Sequence, residues 1–290
     1  MKTHYTKSQL NFLITTAVVM ILSMVSCSNK QSDNDLSDFD LIGKVKSFKE
    51  LSFTVVERFG KLEKQDENIN SLYVLFNNKG RKVEKGEYLS DGTLDWKSIY
   101  KYNDRGNISE VDYHQSDGIL FKNSTFSYDK NDNEVQEICT NSDGSLEYKL
   151  VFKYDDKGNT VEENYFLSKD TLARKTFYRF DDRGNKIEAK FYNSDGSQGF
   201  TVSYRYNYKG KVVEVKFYNP DGSLHKKVTY RYDYDGSKVE KVQFQSDGSI
   251  DYKYTYRYEF DEKGNWIQQT QLSDGAPNEL TEREINYFKK

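Results

Sequence analysis

The sequence contains few of the residues on which catalytic and metal sites depend. Histidine occurs three times, at His4, His114 and His225, and cysteine only at Cys27 and Cys139. A zinc site or a catalytic triad needs clustered His or Cys, or an activated nucleophile, and the usual spacings of such sites do not occur. The sequence therefore predicts a protein that is not an enzyme and that has no cofactor and no metal site.

Proline and long apolar runs are also scarce. The chain has 2 prolines, 36% hydrophobic residues, 31% charged residues and a mean hydropathy of -0.90. Such a composition alone favours disorder or a poorly filled core. However, 24 tyrosines and 18 phenylalanines supply a large buried area per residue. We therefore expect ordered β-structure that is thin.

Neither sign of charge dominates the chain. The formal net charge is -3, and loss of Lys2 and Lys7 with a leader would make it about -5. Lys and Arg are interspersed with Asp and Glu along the sequence rather than gathered into one basic stripe. The sequence therefore predicts no nucleic-acid partner.

The one long apolar run lies near the N-terminus, at residues 12–25, after Lys2 and Lys7. It suits the core of a secretory signal peptide and is shorter than the roughly 20 residues of a transmembrane helix. We predict that residues 1–26 form a signal peptide. A retained transmembrane anchor is the alternative.

Ser26 followed by Cys27 resembles the lipobox of bacterial lipoproteins, although Met24 stands where leucine is usual. The resemblance implies lipidation of Cys27 and hence attachment to a membrane. The acidic stretch at 27–40 indicates a flexible tether and resembles surface-export signals of lipoproteins in the Bacteroides lineage. We expect an exported protein, lipid-anchored to the cell envelope at the outer membrane and facing the periplasm or the cell surface. Cys139 is expected to act as a small packed hydrophobe.

Glycines mark two interleaved series of turns, each with a period of 26 residues that lengthens only at the last member. Both turn types suit a type I turn closed by a residue with positive φ in a bulge, and Asp132 and Asp170 are tolerable substitutes for glycine. The predicted turn-defining residues of the first series are Gly80, Gly106, Gly158, Gly184, Gly210, Gly236 and Gly264. Those of the second are Gly92, Gly118, Gly144, Gly196, Gly222, Gly248 and Gly275.

The segments between turns alternate apolar and polar residues, which is typical of strands. If the bulge places Asp155 opposite Gly158 and Asn159, Phe152 faces Glu162 across the ladder. A column of glutamates would then lie among aromatic rings, either as a polar-aromatic ligand groove or as acceptors for Tyr and Lys of adjacent strands. The column comprises Glu84, Glu110, Glu162, Glu188, Glu214 and Glu240.

The YDxxGN signature, intact at 153–159 and degraded at 205–211, resembles the YD repeats of the Rhs family. The SDGSL half, at 142–146, is similar to MORN-like and YwqK-like hairpin repeats of bacterial proteins. The resemblance covers about residues 66–275 and implies a β-hairpin repeat protein. It implies no catalytic residues, because the shared motif is turn chemistry, and no toxin activity, because Rhs shells that enclose a toxin are far longer.

We predict an all-β fold: a long antiparallel meander of about eight 26-residue double-hairpin repeats, coiled into an open superhelical or curled sheet. The predicted segments are a signal peptide (1–26), a lipidated tether (27–40), N-terminal cap strands (41–65), the repeats (66–275) and a closing strand (276–290).

The predicted function is a non-catalytic, lipid-anchored scaffold that binds a protein or polysaccharide partner. The alternatives are a carbohydrate-binding surface lipoprotein, an outer-membrane barrel, and a glycan-active enzyme that uses a carboxylate pair. Charged residues at 85, 137, 163 and 241 interrupt the column that contains Val111 and Val215, which argues against a lipid-facing surface. An acidic pair that one repeat carries in a concave place, and that its siblings lack, would distinguish an enzyme from a scaffold.

Overall fold

The computed structural model describes residues 34–65, 70–89, 91–168 and 171–289. The predicted signal peptide, Cys27 and Asp170 lie outside these residues. A short 3₁₀ helix, Leu36–Phe39, precedes the first strand, and no helix within the described ranges is long and apolar enough to cross a membrane.

The described residues that follow the 3₁₀ helix form antiparallel strands joined by turns. They are β1 (Val45–Arg58), β2 (Lys61–Lys64), β3 (Asn70–Phe76), β4 (Lys82–Tyr88), β5 (Leu94–Tyr102), β6 (Ile108–Gln115), β7 (Leu120–Tyr128), β8 (Glu134–Asn141), β9 (Leu146–Tyr154), β10 (Thr160–Ser168), β11 (Thr171–Phe180), β12 (Lys186–Asn193), β13 (Gln198–Tyr206), β14 (Val212–Tyr218), β15 (Leu224–Tyr232), β16 (Lys238–Gln245), β17 (Ile250–Phe260), β18 (Trp266–Ser273) and β19 (Ala276–Tyr287).

The sheet is a closed barrel of 18 strands, so the prediction of an open superhelical or curled sheet is wrong. β1 pairs with β3 on one side and with β19 on the other, which joins the two ends of the meander. Among the described strands, the short β2 pairs only with the distal end of β1 and stands outside the ring. Glu50 and Arg283 meet across the closing seam at 2.8 Å, and Ser52 and Thr281 share a hydrogen bond of 2.9 Å. Closure removes the exposed sheet edges that an open meander would leave.

The two series of turns form the two rims of the barrel. All fourteen predicted turn glycines have φ between 76° and 93°, and Asp132 has φ of 65°. In the first-series turn at 155–159, Asp155 Oδ1 accepts hydrogen bonds from the backbone N–H groups of Lys157 and Asn159 at 2.9 and 2.8 Å. The last turn differs, because Asp274 and Gly275 both have positive φ, as in a two-residue type I′ turn.

The strand register places the glutamate column on the opposite face from the one expected. Phe152 pairs with Glu163 and Lys153 pairs with Glu162, because the bulge between Thr160 and Glu162 takes up Val161 as an extra residue. A slip of one residue turns every following side chain to the other face of a sheet. The glutamate column therefore does not lie on the aromatic face that contains Phe152, as the predicted groove required.

The aromatic face is the inside of the barrel. Its central column includes Ser98, Ser124, Thr176 and Val202, each 0% exposed. Side chains on the concave side of a closed sheet converge, whereas those on the convex side spread apart, so the more buried face is the interior. An 18-stranded ring is wide enough to leave a water-filled channel between its walls.

The tyrosine of the YD signature joins neighbouring hairpins from inside the barrel. The Tyr128 hydroxyl donates to the Ile108 carbonyl at 2.8 Å, and Tyr154 donates to Glu134 at 2.6 Å, in each case 20 residues back along the chain. The same bond recurs in other repeats, from Tyr102, Tyr206, Tyr232 and Tyr258. The tyrosine therefore satisfies a backbone carbonyl beside the bulge of the preceding hairpin.

Residues 34–41 lie inside the mouth of the barrel at the first-series rim. Leu36 and Leu41 are buried against Phe48 and Val74, which face the interior. The Arg283 guanidinium at the closing seam also donates to the Phe39 carbonyl at 3.0 Å. The described part of the predicted tether thus enters the fold at this rim.

Candidate functional site: the barrel interior

The interior of the barrel carries charged residues that depart from the repeat. One interior column, sampled every 26 residues, changes from lysine through valine and glutamate back to lysine. Its members are Lys85, Val111, Glu137, Glu163, Ala189, Val215 and Lys241. The repeated turn chemistry does not explain these differences, so the charge of the interior surface changes from one repeat to the next.

An acidic wall occupies β8 to β10, and we define it by Glu134, Glu137 and Glu163. Glu163 is only 3% exposed and accepts hydrogen bonds from the Tyr178 hydroxyl at 2.9 Å and from Arg174 Nη2 at 3.2 Å. Glu137 accepts from the Tyr148 hydroxyl at 2.6 Å and from Ser124 at 3.0 Å. Glu137 and Glu163 lie in successive repeats, and a tyrosine hydroxyl holds each carboxylate.

Burial controls the protonation of this wall. Desolvation, assisted by the charge of Glu137, raises the pKa of Glu134 to about 8. Burial also raises the pKa of Glu137, although its hydrogen bonds from Tyr148 and Ser124 oppose the effect. The pKa values of Tyr148 and Tyr178 are raised first by burial and then by the adjacent carboxylates, so both hydroxyls stay neutral donors.

Cys139 lies in the same part of the interior and is 2% exposed. It is a free thiol, and burial raises its pKa. A buried thiol with a raised pKa is a poor nucleophile at neutral pH, because the thiolate is the reactive form.

A basic wall lies on β15 and β16, and we call it the lysine wall: Lys226, Lys238 and Lys241. Each ammonium group lies against an aromatic ring, with Nζ 4.9 Å from the Phe217 centroid for Lys226, 4.7 Å from Tyr256 for Lys238 and 5.2 Å from Tyr252 for Lys241. Burial lowers the pKa of all three amines. Repulsion from Lys241 lowers those of Lys226 and Lys238 further.

Five to eight strand positions around the ring of eighteen separate the strands of the acidic wall from those of the lysine wall. Between them lies an apolar patch on β12 to β15, comprising Ala189, Phe191, Val202, Tyr204, Val212, Val215, Phe217 and Val228. No group of three His, Cys, Asp or Glu side chains in the described ranges could hold a metal ion.

Two exposed aromatic rings stand on adjacent turns of the first-series rim. Tyr208 is 80% exposed and Tyr234 is 87% exposed, at a turn position that other repeats fill with polar residues. Lys209 Nζ lies 5.9 and 4.7 Å from the two ring centroids and donates a hydrogen bond to the Tyr234 carbonyl. These side chains line a groove of about 370 Å³ together with Arg231 and Asp233.

No protein-family model and no curated protein matches the chain. Several solved structures are similar to the chain at low identity and with TM-scores below 0.5. A porin-like protein from Bacteroides uniformis is similar with a TM-score of 0.41 and 10% identity, covering 83% of this chain and 96% of that one. A porin-like protein from Bacteroides vulgatus gives 0.38 and 13%, covering 85% and 99%. The Photorhabdus luminescens Tc holotoxin pore gives 0.34 and 12%, covering 77% of this chain and 15% of that one.

Proposed function

We propose that this protein is a non-catalytic, lipid-anchored binding barrel of the bacterial cell envelope, which stands in water and binds its ligand on polar inner and rim surfaces. The predicted signal peptide and lipobox supply the export and the anchor. The observation that carries the proposal is the chemistry of the outer face of the barrel.

The outer face carries an ion-pair belt, formed by the glutamate column and its Lys and Arg partners. Lys153 and Glu162 approach to 3.1 Å, and Arg231 and Glu240 to 3.4 Å. Equivalent pairs on other strands are Lys97–Glu84, Lys101–Glu110, Arg179–Glu188 and Arg205–Glu214. Charged side chains on the lipid face of a membrane barrel are strongly destabilising near the bilayer midplane. The belt therefore favours a barrel in water over an outer-membrane barrel.

The column that contains Val111 and Val215, whose charged members argued against a lipid-facing surface, lies inside the barrel. It therefore has no bearing on contact with lipid. The glutamate column is the one that faces outward, and it is charged in almost every repeat. The argument against a transmembrane barrel thus rests on the belt.

The test removes the anchor and asks whether the barrel stays with the membrane. Wild-type protein, produced in a Gram-negative host, is expected to incorporate a palmitate analogue and to need detergent for release. Residues 28–290, exported behind a signal peptide that is cleaved without lipidation, are expected to be water-soluble and monodisperse without detergent.

Two cysteine variants provide the control for lipidation. Cys27→Ala should abolish incorporation of the palmitate analogue, whereas Cys139→Ala should leave it unchanged, because Cys139 is buried in the interior. A lipid-free chain that still fractionates with membranes and aggregates without detergent would contradict the proposal and support the outer-membrane barrel.

The exposed pair of Tyr208 and Tyr234 favours carbohydrate as one ligand of this barrel. Large exposed apolar groups on a water-facing protein commonly mark binding surfaces. Aromatic rings pack against the C–H face of a sugar, while Arg231, Asp233 and Lys209 are placed to bond its hydroxyl groups.

We expect the combined change Tyr208→Ala and Tyr234→Ala to weaken binding of a neutral oligosaccharide, selected on an array of bacterial and host glycans, by about tenfold or more. The matched control is Phe59→Ala, which removes a fully exposed ring from the opposite rim. Isothermal titration with the selected sugar measures the effect. A blank array, or an equal loss in the control, would count against carbohydrate recognition by this pair.

A further inference from the structure

The three amines of the lysine wall face the interior and differ from several paired lysines of the outer face in lacking acidic partners. On the outer face, Lys190, Lys216 and Lys253 each lie within 3.6 Å of a glutamate oxygen. Within the part of the chain that the structure describes, none of Lys226, Lys238 and Lys241 forms such a pair, and Asp251 and Asp40 act on Lys226 and Lys238 only as more distant charges. Three amines on adjacent strands thus share one half-buried surface without neutralisation.

Such an arrangement is unfavourable in the empty protein. Half-buried ammonium groups lose part of their hydration, and the like charges repel one another. An anion placed among them would relieve both costs at once, because charge-assisted hydrogen bonds to ammonium groups are strong where water is partly excluded.

The side chains around the lysine wall suit a sugar-bearing anion. Tyr230 and Tyr254 lie directly opposite Lys241 on the two neighbouring strands. The rings of Tyr252 and Tyr254 are 4.9 Å apart at 31°, which forms a continuous aromatic surface beside the amines. Rings that can pack on sugar carbons, with hydroxyls and ammonium groups alongside, provide for both parts of an acidic saccharide.

We propose that the lysine wall is a binding site for an anionic carbohydrate, whose carboxylate, phosphate or sulfate groups pair with Lys226, Lys238 and Lys241. The proposal names a ligand class for the binding barrel and so rests on the proposed function. A polynucleotide is less suitable, because the chain has a formal net charge of -3 and the basic surface is confined to one interior wall.

The experiment uses the mature lipidated protein in a non-ionic detergent and isothermal titration with four probes. These are tetragalacturonate for carboxylates, a heparin-derived tetrasaccharide for sulfates, maltotetraose as the neutral control, and inorganic phosphate. We expect the acidic tetrasaccharides to bind and maltotetraose not to bind at the lysine wall. Binding of inorganic phosphate alone would show a simple anion site and overturn the carbohydrate assignment.

Two matched triple variants locate the binding. Replacing Lys226, Lys238 and Lys241 by Gln should weaken binding of the acidic tetrasaccharide by about tenfold or more, through loss of charge-assisted bonds. Replacing Lys190, Lys216 and Lys253 by Gln removes the same charge from the outer face and should change binding by less than about twofold. Equal losses in the two variants would mean attraction by net charge and would overturn the proposal.

A second measurement does not depend on the folding of the variants. In wild-type protein, the acidic tetrasaccharide should slow acetylation of Lys238 and Lys241, measured by mass spectrometry, and leave that of Lys190 unchanged. Unaltered acetylation at the lysine wall, or protection by a short oligodeoxynucleotide without protection by the sugar, would overturn the proposal. Failure here would leave the solubility and lipidation tests of the proposed function unaffected.

Discussion

Replacing Arg174 with Met is expected to lower the free energy of unfolding by about 3 kcal/mol, because it leaves a buried carboxylate without its cation. Glu163 is 3% exposed, and Arg174 is its only cationic partner among the described contacts. Tyr178 would still donate one hydrogen bond, but a neutral hydroxyl cannot balance the charge. Urea denaturation followed by circular dichroism would measure the change.

Arg179 provides a matched control for this prediction on the same strand. It faces outward, its side chain is 66% exposed, and it lies 3.6 Å from Glu188. Arg179→Met should therefore cost less than about 1 kcal/mol. Adding Glu163→Gln to Arg174→Met should recover much of the lost stability, because it removes the unpaired charge. Equal costs for the two arginine variants would show that Glu163 does not depend on Arg174.

Much of the local structure was predictable from turn chemistry. A glycine or aspartate every 26 residues fixed where strands end, since few residues tolerate positive φ. Asp155 shows why the motif requires an aspartate at this position, because its carboxylate accepts hydrogen bonds from two backbone N–H groups of the turn. Such contacts are local in sequence and can therefore be inferred from it.

Register and closure were not predictable in the same way. The expected pairing of Phe152 with Glu162 was one residue in error. The turn is compatible with a strand that carries the extra bulge residue and with one that lacks it, and only packing selects between the two registers. Closure depends on the summed curvature of eighteen strands and on β1 fitting between β3 and β19. Glu50 and Arg283, which meet at the seam, are 233 residues apart in sequence.

The interior walls were visible in the sequence only as irregularities. Glu137, Glu163 and Lys241 were recognised as charged members of one column, but the face that they occupy was unknown. Once the interior is identified, the same irregularities become the candidate site. A comparison of equivalent positions between repeats, restricted to the aromatic face, could have found these residues, because they differ from their counterparts.

The stability of the barrel is expected to fall by about 4 kcal/mol between pH 5 and pH 8.5, and Glu134→Gln should remove most of this dependence. Burial raises the pKa of Glu134 to about 8 from its ordinary value of 4.5. The folded state therefore holds the proton more tightly than the unfolded state does. The stabilisation of the folded state by protonation of Glu134 is fully present below about pH 4.5 and is lost as the pH rises through about 8. Denaturation midpoints at several pH values would measure it.

Glu162 is the control for this pH dependence. Partial burial alone would raise the pKa of Glu162. Hydrogen bonds from Asn164, Lys153 and Lys175 nevertheless hold this pKa below its usual value. The contribution of Glu162 to the free energy of unfolding is present above the unfolded pKa and is lost only on acidification. Glu162→Gln should therefore leave the slope of stability against pH between pH 5 and 8.5 unchanged. If the Glu134 variant keeps the wild-type slope, Glu134 is ionised in the folded protein. If the slope disappears, Glu134 is largely neutral near pH 7, and the interior then favours anions through the lysine wall.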